Sequence, residues 1–248
     1  MAKSTKSTKA ETGTSKSDLL DGLVDVINKT VTDQGNVAFF LDKEDDPSNV
    51  TDWISTGNSE LDLAISNRPN GGLPVGRVCE INGESASGKS LVVAHALADT
   101  QKKDGLAILF DTETALSKEY LAAIGVDISK LLVISLDNVE DIFDSMEAMI
   151  HKIRESNSNK LVTIVVDSIA AMSTKTEQEE SFAKEGYGTA KAYLLSKAFR
   201  KITNLLGKQR ILLICTNQLR EKIGFVGLGD KFCVDPFTTK IKRRYKIS

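Results

Sequence analysis

Gly83-Glu84-Ser85-Ala86-Ser87-Gly88-Lys89-Ser90 is the stretch of the sequence that decides the fold. It matches the pattern G-x-x-x-x-G-K-[ST], in which two glycines, a lysine and a hydroxyl residue stand at fixed spacing. Residues 77–82 before it have the pattern of a short strand, and residues 91–100 after it carry Leu, Val and Ala without Gly or Pro, which is typical of a helix. Strand, loop and helix in this order are the context that the pattern requires.

The chemistry of this loop follows from its residue types. Glycines at positions 83 and 88 let consecutive N–H groups face inward around an anion, and a helix that begins near Lys89 adds the positive end of its dipole. The Lys89 ammonium group would reach the outer phosphates of a nucleotide, and the Ser90 hydroxyl is placed to ligate Mg²⁺. We therefore expect residues 83–90 to bind nucleotide phosphates. The alternative is a glycine-containing turn that matches the pattern by accident, and the flanking strand and helix disfavour it.

The composition is that of a chain that folds. A chain of 248 residues with 41% hydrophobic content is large enough for one α/β domain with a sizeable core. The formal net charge of −2 gives no global sign of nucleic-acid binding, so any such contact must come from local patches. Cys79, Cys215 and Cys233 have neither disulfide nor zinc spacing, and no apolar run is long enough to span a membrane. We expect a cytoplasmic protein with no membrane partner.

Further apolar runs predict the rest of a sheet. They lie at residues 106–111, 131–135, 161–167 and 211–216, with helical segments between them. This alternation predicts an α/β fold in which a mostly parallel, twisted sheet carries helices on both faces. Ligands of such sheets bind beyond the carboxyl ends of the strands, where each of these runs carries polar residues.

Candidate catalytic groups follow three of the predicted strands. Asp167 could hold the Mg²⁺ shell near Ser90, or simply cap the next helix. Asp111 and Glu113 could orient or deprotonate an attacking water, and periodicity does not choose between them. The amides of Asn217 and Gln218 could hydrogen-bond a γ-phosphate, although amides also cap helices.

The chain before the loop is organised differently. Residues 1–17 repeat Lys, Ser and Thr, which predicts a disordered tail. From residue 18 onward, apolar residues at helical spacing predict a helix. We divide the chain into this tail, an N-terminal helical segment at 18–53, a core at 54–232 and a basic tail at 233–248.

Together these motifs resemble a RecA-type homologous recombinase over residues 54–224. The matching motifs are Ser55-Thr56-Gly57, Gly71-Gly72-Leu73-Pro74, Gly76-Arg77, the loop at 83–90, Asp111-x-Glu113-x-Ala115-Leu116, Tyr120, Gly125-Val126-Asp127, Val165-Val166-Asp167-Ser168 and Asn217-Gln218-Leu219-Arg220-x-Lys222-Ile223-Gly224. An ordered series of this kind is much more specific than a phosphate loop alone. The resemblance implies a RecA-like P-loop ATPase core.

The resemblance also implies roles for individual residues, with ATP and Mg²⁺ as cofactors. Glu113 would be the catalytic carboxylate, assisted by Lys89 and by Gln218 as sensor of the γ-phosphate. Tyr120 would stack on adenine, although a half-buried helix residue is the alternative for it. Asp167 would be the acid linked to Mg²⁺.

DNA is the implied partner. The two DNA-binding loops of the family would correspond to residues 173–188 and to the segment from residue 220 onward. The positions that match DNA contacts are Ser196, Arg200, Arg220, Lys222, Ile223 and Gly224. The implied function is that of an ATP-dependent DNA recombinase and DNA-dependent ATPase. It would form a filament on single-stranded DNA through self-association of the N-terminal segment, and promote pairing and strand exchange with homologous duplex DNA in recombination and repair.

After Gly224 the sequence departs from the family pattern. Later strands of the core are not recognisable, so we expect a core that is incomplete at its C-terminal side, with nucleotide binding but weak or absent DNA-stimulated hydrolysis by this chain alone. Residues 233–242, which begin with Cys233, resemble the first residues of an intein, where a cysteine attacks the preceding peptide carbonyl. A diverged second DNA loop and a basic tail are the other interpretations of this segment.

Two other functions stay open on the sequence. One is a nucleotide-binding fragment that acts only with a second polypeptide that completes the core. The other is a different ATPase of the RecA superfamily, which would share the phosphate loop but not the combination of the motif at 111–116 with the amides at 217–218.

Overall fold

The structure, a computed structural model, describes residues 16–31, 37–40, 49–113, 117–156, 159–179, 188–221, 231–233 and 245–246. The helices are α1 (Lys16–Thr30), α2 (Ser59–Ser66), α3 (Lys89–Lys102), α4 (Lys118–Ile124), α5 (Val139–Glu155), α6 (Lys175–Glu179) and α7 (Gly188–Lys208). The strands are β1 (Trp53–Ile54), β2 (Leu73–Pro74), β3 (Val78–Gly83), β4 (Leu106–Asp111), β5 (Leu131–Ile134), β6 (Val162–Asp167), β7 (Ile211–Glu221), β8 (Lys231–Cys233) and β9 (Tyr245–Lys246). The chain divides into two compact units, residues 1–49 and 50–248.

The first unit contains the predicted N-terminal helix, α1. The apolar residues that predicted it, at positions 19, 20, 23, 26 and 27, are exposed. Asn28 ties the segment after the helix back to it. Its Oδ1 accepts hydrogen bonds from the N–H groups of Val37 (2.9 Å) and Ala38 (2.8 Å), and its Nδ2 donates to the Ala38 carbonyl (2.9 Å). The disordered tail predicted for residues 1–17 falls almost entirely outside the described residues.

The second unit is built on a parallel sheet. Its strand order is β5-β4-β6-β7-β3-β9, and β8 pairs antiparallel with β7. Because β3, β4, β6 and β7 all point the same way, their carboxyl ends lie at one edge of the sheet. The predicted α/β fold with a mostly parallel sheet is confirmed.

Helices cover both faces of this sheet. In β6, Ile164 and Val166 are buried in one cluster with residues of α5 and α7, whereas Val165 between them is buried in a second cluster with residues of α3. Side chains of a strand alternate between faces, so the two clusters are the two sides of the sheet. On the first side, the rings of Phe143 and Phe199 join α5 to α7 edge to face, with centroids 5.0 Å apart.

The Ser55-Thr56-Gly57 motif, near the start of this unit, contacts helices α2 and α3. Buried Asp62 in α2 accepts hydrogen bonds from the Ser55 hydroxyl (2.5 Å), the Thr56 N–H (2.8 Å) and the Thr56 hydroxyl (2.7 Å). Gly57 lies against α3, where a Cβ would come 2.3 Å from the ring of His95. The motif therefore docks β1 and α2 on the helix that follows the phosphate loop.

The last long strand differs from its predicted extent. The apolar run predicts a strand that ends at residue 216, whereas β7 continues to Glu221. Residues 219–221 find partners in β8, which the sequence pattern does not reveal. Arg220, predicted to open the second DNA-binding loop, therefore lies within a strand. Residues 222–230 and nearly all of the segment compared with an intein are outside the described residues.

Two of the cysteines are buried thiols in strands, as the apolar runs around them predict. Cys79 in β3 and Cys215 in β7 are free. Burial raises the pKa of the Cys79 thiol to about 12. Within the described ranges, no helix is both long and apolar enough to cross a membrane.

Candidate nucleotide site

The octapeptide at residues 83–90 forms the turn between β3 and α3. Gly88 caps the helix with φ of 90°, in the left-handed region that side chains rarely adopt. Gly83 is buried at the end of β3, where a Cβ would lie 2.4 Å from the Ser87 hydroxyl oxygen. The backbone conformation therefore favours glycine at position 88, and the packing of Ser87 favours it at position 83.

Polar groups of this loop point toward its own centre. The Lys89 ammonium group donates to the carbonyl oxygens of Gly83 (3.3 Å) and Glu84 (2.7 Å). The Ser87 hydroxyl is buried and has no hydrogen-bond partner among the described residues. A cation and a free hydroxyl thus lie where the helix dipole is positive, which is an arrangement suited to an anion.

Asp167 at the end of β6 is joined to two hydroxyl groups. The Ser90 hydroxyl of α3 donates to Oδ2 at 3.4 Å, and the Thr216 hydroxyl of β7 donates to Oδ1. Burial raises the pKa of the Asp167 carboxyl; the Thr216 hydrogen bond opposes this, and the carboxylates of Glu113 and Asp111 add to the rise. Such a carboxyl gains from a cation nearby, because a positive charge would relieve the repulsion.

Glu113, the predicted catalytic carboxylate, lies beside Gln218, the predicted γ-phosphate sensor. Its Oε1 accepts a hydrogen bond from the Ser168 hydroxyl at 2.5 Å and another from Nε2 of Gln218 at 3.2 Å. The backbone N–H of Glu113 donates to Oδ1 of Asp111 at 3.2 Å, so Asp111 supports the turn in which Glu113 sits. The ends of β4, β6 and β7 therefore converge on a single carboxylate.

Thr112 and Ser168 connect the ends of β4 and β6. The Thr112 hydroxyl accepts from the Ser168 N–H (2.8 Å) and donates to the Ser168 carbonyl (2.9 Å). The Thr112 N–H donates to the carbonyl of Asp167 at 2.9 Å. The backbone on both sides of Ser168 is thus fixed, and with it the hydroxyl that contacts Glu113.

Asn217 connects β7 to β3. Its Nδ2 donates to Oε1 of Glu80 at 3.0 Å, and its Oδ1 accepts from the N–H of Gln218 at 2.8 Å. The backbone of Gln218 is therefore tied to the strand that leads into the phosphate loop.

Sequence reasoning did not assign a role to Thr112, Thr216 or Glu80. The available signal was a hydroxyl or acidic residue within an otherwise apolar strand end. Such a residue is a candidate partner for neighbouring strand ends, but the sequence does not say which strands are neighbours.

Tyr120 is less closely tied to the site. It lies in the first turn of α4, 41% exposed, and its N–H donates to the capping hydroxyl of Ser117 at 3.2 Å. None of the contacts among the described residues joins its ring to the loop at 83–90. Its proposed stacking on adenine stays a prediction.

The residues predicted to bind DNA are described in part. Ser196 is half-buried and Arg200 is exposed, both on α7. In the first predicted loop, Ser173 pairs with the backbone next to Asn138, and the Lys175 ammonium group forms a 2.5 Å ion pair with Asp141 of α5. Lys222, Ile223 and Gly224 lie outside the described residues, as do 180–187.

The donors available to a cation are oxygen atoms. In the described part of the chain, no three or more His, Cys, Asp and Glu side chains gather in a way that could hold a metal. The pair formed by the Ser90 hydroxyl and the Asp167 carboxylate has the chemistry of a partial Mg²⁺ site. Mg²⁺ is usually bound through one or two protein oxygens together with water and substrate phosphates.

The strand order, the helices on both faces and the loop between β3 and α3 define a RecA-like α/β core, a phosphate-loop fold. Comparison with known proteins makes this assignment specific. The chain belongs to the RecA N-terminal domain family, whose model matches residues 20–240.

Relatives with the name Protein RecA match the chain at similar levels. That of Clostridium acetobutylicum is 42% identical over 175 residues, which are 71% of this chain and 47% of the relative. That of Trichodesmium erythraeum is 43% identical over 173 residues, 70% of this chain and 45% of the relative. That of Mesoplasma florum is 40% identical over 175 residues, 71% of this chain and 50% of the relative. The chain spans about half the length of the curated relatives it matches.

Proposed function

We propose that this chain is the core of an ATP-dependent DNA recombinase. It would bind ATP with Mg²⁺, assemble as a filament on single-stranded DNA, and promote pairing and strand exchange with homologous duplex DNA. The observation that carries the proposal is the hydrogen-bonded set at one edge of the sheet, in which Ser90 contacts Asp167 while Glu113 contacts Gln218. Membership of the RecA N-terminal domain family supports the DNA part.

The phosphate loop supports ATP as the ligand. Glycine at position 83 leaves room for the side chain of Ser87, whose buried hydroxyl has a free donor to offer. The Lys89 ammonium group donates hydrogen bonds to two carbonyl oxygens of the loop. It would donate to phosphate oxygens instead when a nucleotide binds, because a hydrogen bond between two charged groups is stronger than one to a neutral carbonyl. These residues fit a polyphosphate.

The donor set beside the loop supports Mg²⁺. The Ser90 hydroxyl and the Asp167 carboxylate are hard oxygen donors 3.4 Å apart, at the mouth of the loop. When bound, Mg²⁺ supplies neutralisation of the charge that develops on the phosphates. Thr216 holds one oxygen of Asp167, which leaves the oxygen nearer to Ser90 to face the cation.

Glu113 is our choice for the group that orients and deprotonates the attacking water. Asp111 is the less suitable carboxylate because it accepts the N–H of Glu113 and so supports the turn. In the present arrangement one oxygen of Glu113 is shared by Ser168 and Gln218. If Gln218 turned toward a γ-phosphate, it would leave Glu113, so its side chain could report the phosphate to β7.

The DNA and filament roles are proposed for two other parts of the chain. Basic α7, with Ser196 and Arg200, and the segment from Arg220 to Gly224 would bind the DNA backbone. The exposed apolar residues of α1 would serve self-association along the filament.

Replacement of Glu113 by Gln tests the proposal. Gln keeps the shape but cannot take a proton, so hydrolysis of ATP should fall by about 100-fold or more while ATP binding is kept. Hydrolysis is measured as single-turnover phosphate release with and without single-stranded DNA, and binding by titration with a fluorescent ATP analogue. Glu119→Gln, on the exposed start of α4, is the matched control and should behave as the parent.

Two outcomes would count against the proposal. If the parent chain binds no adenine nucleotide, the site assignment is wrong. If Glu113→Gln hydrolyses ATP as fast as the parent, Glu113 is not the catalytic carboxylate. A parent chain that binds ATP but hydrolyses it only after addition of a second polypeptide would support the alternative of a fragment that acts with a partner.

A further inference from the structure

Helix α7 is a local concentration of positive charge on a chain whose net charge is −2. Its sequence, GTAKAYLLSKAFRKITNLLGK, contains five Lys or Arg residues and no Asp or Glu. Its neighbour α5 is richer in acidic residues, with Glu140, Asp141, Asp144, Glu147 and Glu155. The charge of α7 is thus a property of this helix and not of its surroundings.

One face of α7 is buried and the opposite face is open. The buried face carries Leu195, Phe199, Ile202 and Leu206, which pack in the core. With about 100° of rotation per residue, positions 193, 197 and 200 lie within about 60° of one another, on the side away from that core. The exposed face therefore presents Tyr193, Lys197 and Arg200 together.

Tyr193 stands out on this face. It is 66% exposed, the highest fraction among the large apolar side chains of the described residues. A single exposed aromatic residue needs no explanation by itself. Its position one turn before Lys197 and two turns before Arg200 is the second observation, because sites for single-stranded nucleic acid combine aromatic rings with nearby cations.

The cations of α7 differ in what they contact. The Lys191 ammonium group donates to the carbonyl of Ala170 (3.1 Å), and that of Lys201 pairs with the Glu147 carboxylate of α5. Lys197 and Arg200 form no hydrogen bond or ion pair with any described residue. The two cations that share a face of α7 with Tyr193 are therefore available to a ligand.

We propose that Tyr193 is a base-stacking residue for single-stranded nucleic acid, and that Lys197 and Arg200 bind phosphates next to the stacked base, on the side toward the C-terminal end of α7. This rests on the DNA-binding part of the proposed function and adds a contact with bases to one with the backbone. The ring is rigid, with few rotatable bonds, so it loses little conformational freedom when a base covers it. Every base has a flat face, so the contact tolerates any sequence.

With Tyr193 in this role, α7 would bind single-stranded nucleic acid more tightly than a duplex. In a duplex the faces of the bases are covered by their neighbours, so Tyr193 has nothing to stack on, whereas Lys197 and Arg200 would meet phosphates in either form. Affinity that depends on the Tyr193 ring should therefore require accessible bases, and affinity that depends on the two cations should not.

The experiment compares two strands of equal length and charge. The full 248-residue chain is titrated into labelled oligodeoxythymidine and into an abasic strand with the same sugar and phosphate backbone, and fluorescence anisotropy reports binding. Tyr193→Ala should weaken binding to oligodeoxythymidine by about tenfold and leave binding to the abasic strand unchanged. Lys197→Ala should weaken binding to both strands by a similar factor. Tyr193→Phe should bind as the parent, and Asn204→Ala, further along the exposed side of α7, is the control.

A second measurement detects the stacking directly. In Tyr193→Trp, oligodeoxythymidine should quench the added tryptophan fluorescence relative to the parent, whose single tryptophan is Trp53, and the abasic strand should not.

The outcomes separate this inference from the function on which it rests. If the parent binds neither strand, DNA binding by this chain and the stacking role fail together. If the parent binds and Tyr193→Ala binds both strands as the parent does, or loses both equally, the stacking role alone is wrong. Loss of self-association in Tyr193→Ala, measured by sedimentation without DNA, would also overturn it, because the face would then be a contact between copies of the chain.

Discussion

Glu113 and Asp167 are carboxylates at neighbouring strand ends, and their surroundings make them different. Asp167 is held by hydroxyl groups from Ser90 and Thr216, and burial raises its pKa. Glu113 accepts hydrogen bonds from the Ser168 hydroxyl and from the amide of Gln218, and the long Gln218 side chain can turn away. A fixed carboxylate suits a metal ion and a releasable one suits proton transfer, which is why we assign them those roles.

Lys89→Ala should reduce ATP affinity by about tenfold to 100-fold, because the ammonium group is the cation placed over the loop and a charged hydrogen bond contributes about 1.5–3 kcal/mol. Isothermal titration with ATP and Mg²⁺ measures the change. Lys102→Ala, at the exposed far end of the same helix, removes the same charge and should bind ATP as the parent does. Equal affinities for the two variants would show that the loop is not the phosphate site.

Asp167→Asn should make the metal-free chain more stable at neutral pH. The pKa of Asp167 is higher in the folded chain than in the unfolded one, so its ionised form lowers the free energy of unfolding above the folded pKa, and this penalty disappears as the pH falls through it. Asn carries no such penalty. Urea unfolding in a chelator should therefore show a gain for the variant at about pH 7.5 that shrinks toward about pH 4.

The reverse pH dependence, with the gain growing in acid, would mean that the pKa of Asp167 is lowered and that its surroundings are not as described. The same variant should lose Mg²⁺-dependent ATP binding, since Asn is a poorer ligand than a carboxylate.

For single residues, the sequence predicts which side chains belong to the candidate site better than it predicts which of them are in contact. Motif spacing and strand ends pointed to Lys89, Asp167 and the pair Asp111 and Glu113, whereas the choice of Glu113 and of Gln218 came from the family resemblance. These roles stay predictions. The contact between Ser168 and Glu113 was not predictable. It joins residues that are distant along the chain and depends on which strands are neighbours in the sheet.

Among the elements, α7 has two different faces. Its core face packs on the sheet, and on α5 through the ring pair Phe143 and Phe199. Its open face carries Lys197 and Arg200. The chain passes from α7 directly into β7, which bears Gln218 near its end. The helix proposed to bind DNA is therefore followed directly by the strand that carries Gln218, the proposed γ-phosphate sensor.

Phe199→Ala should lower the free energy of unfolding by about 3–5 kcal/mol, because the side chain is buried and its removal leaves a cavity between α7 and α5. Urea unfolding followed by circular dichroism measures the loss. Lys197→Ala, two residues away on the open face, should change stability by less than about 0.5 kcal/mol. A similar small effect for Phe199→Ala would contradict the packing of α7 on the core.

The strands show where sequence patterns stop being informative. The limits of β4 were predicted well because every residue of β4 that pairs with its neighbour β6 belongs to one apolar run of the sequence. The extension of β7 to Glu221 depends on residues 231–233, which pair with it from another part of the chain. An apolar run predicts a buried strand, and a polar strand end that pairs at the border of the sheet leaves no such pattern.

The described residues of the second unit carry two regions of opposite charge that matter for the proposed function. The carboxylates of residues 111, 113 and 167 meet at one edge of the sheet, whereas the cations of α7 lie on a helix face. A Mg²⁺ ion would offset the first region, and the phosphates of a nucleic-acid backbone would match the second, as the proposed function requires. The net charge of −2 conceals both regions, so bulk composition neither supports nor excludes the proposed nucleic-acid partner.

Arg200→Glu should therefore separate the two activities. It reverses a charge that no described residue neutralises, so affinity for single-stranded DNA should fall, and the slope of log affinity against log salt should decrease by at least about 0.7, the value for one phosphate contact on a single strand. ATP affinity should stay that of the parent, because Arg200 is absent from the hydrogen bonds that build the nucleotide site. Anisotropy titrations at several salt concentrations and ATP titrations measure the two effects. If Arg200→Glu weakens ATP binding but leaves the salt slope unchanged, α7 supports the nucleotide site and does not bind the DNA backbone.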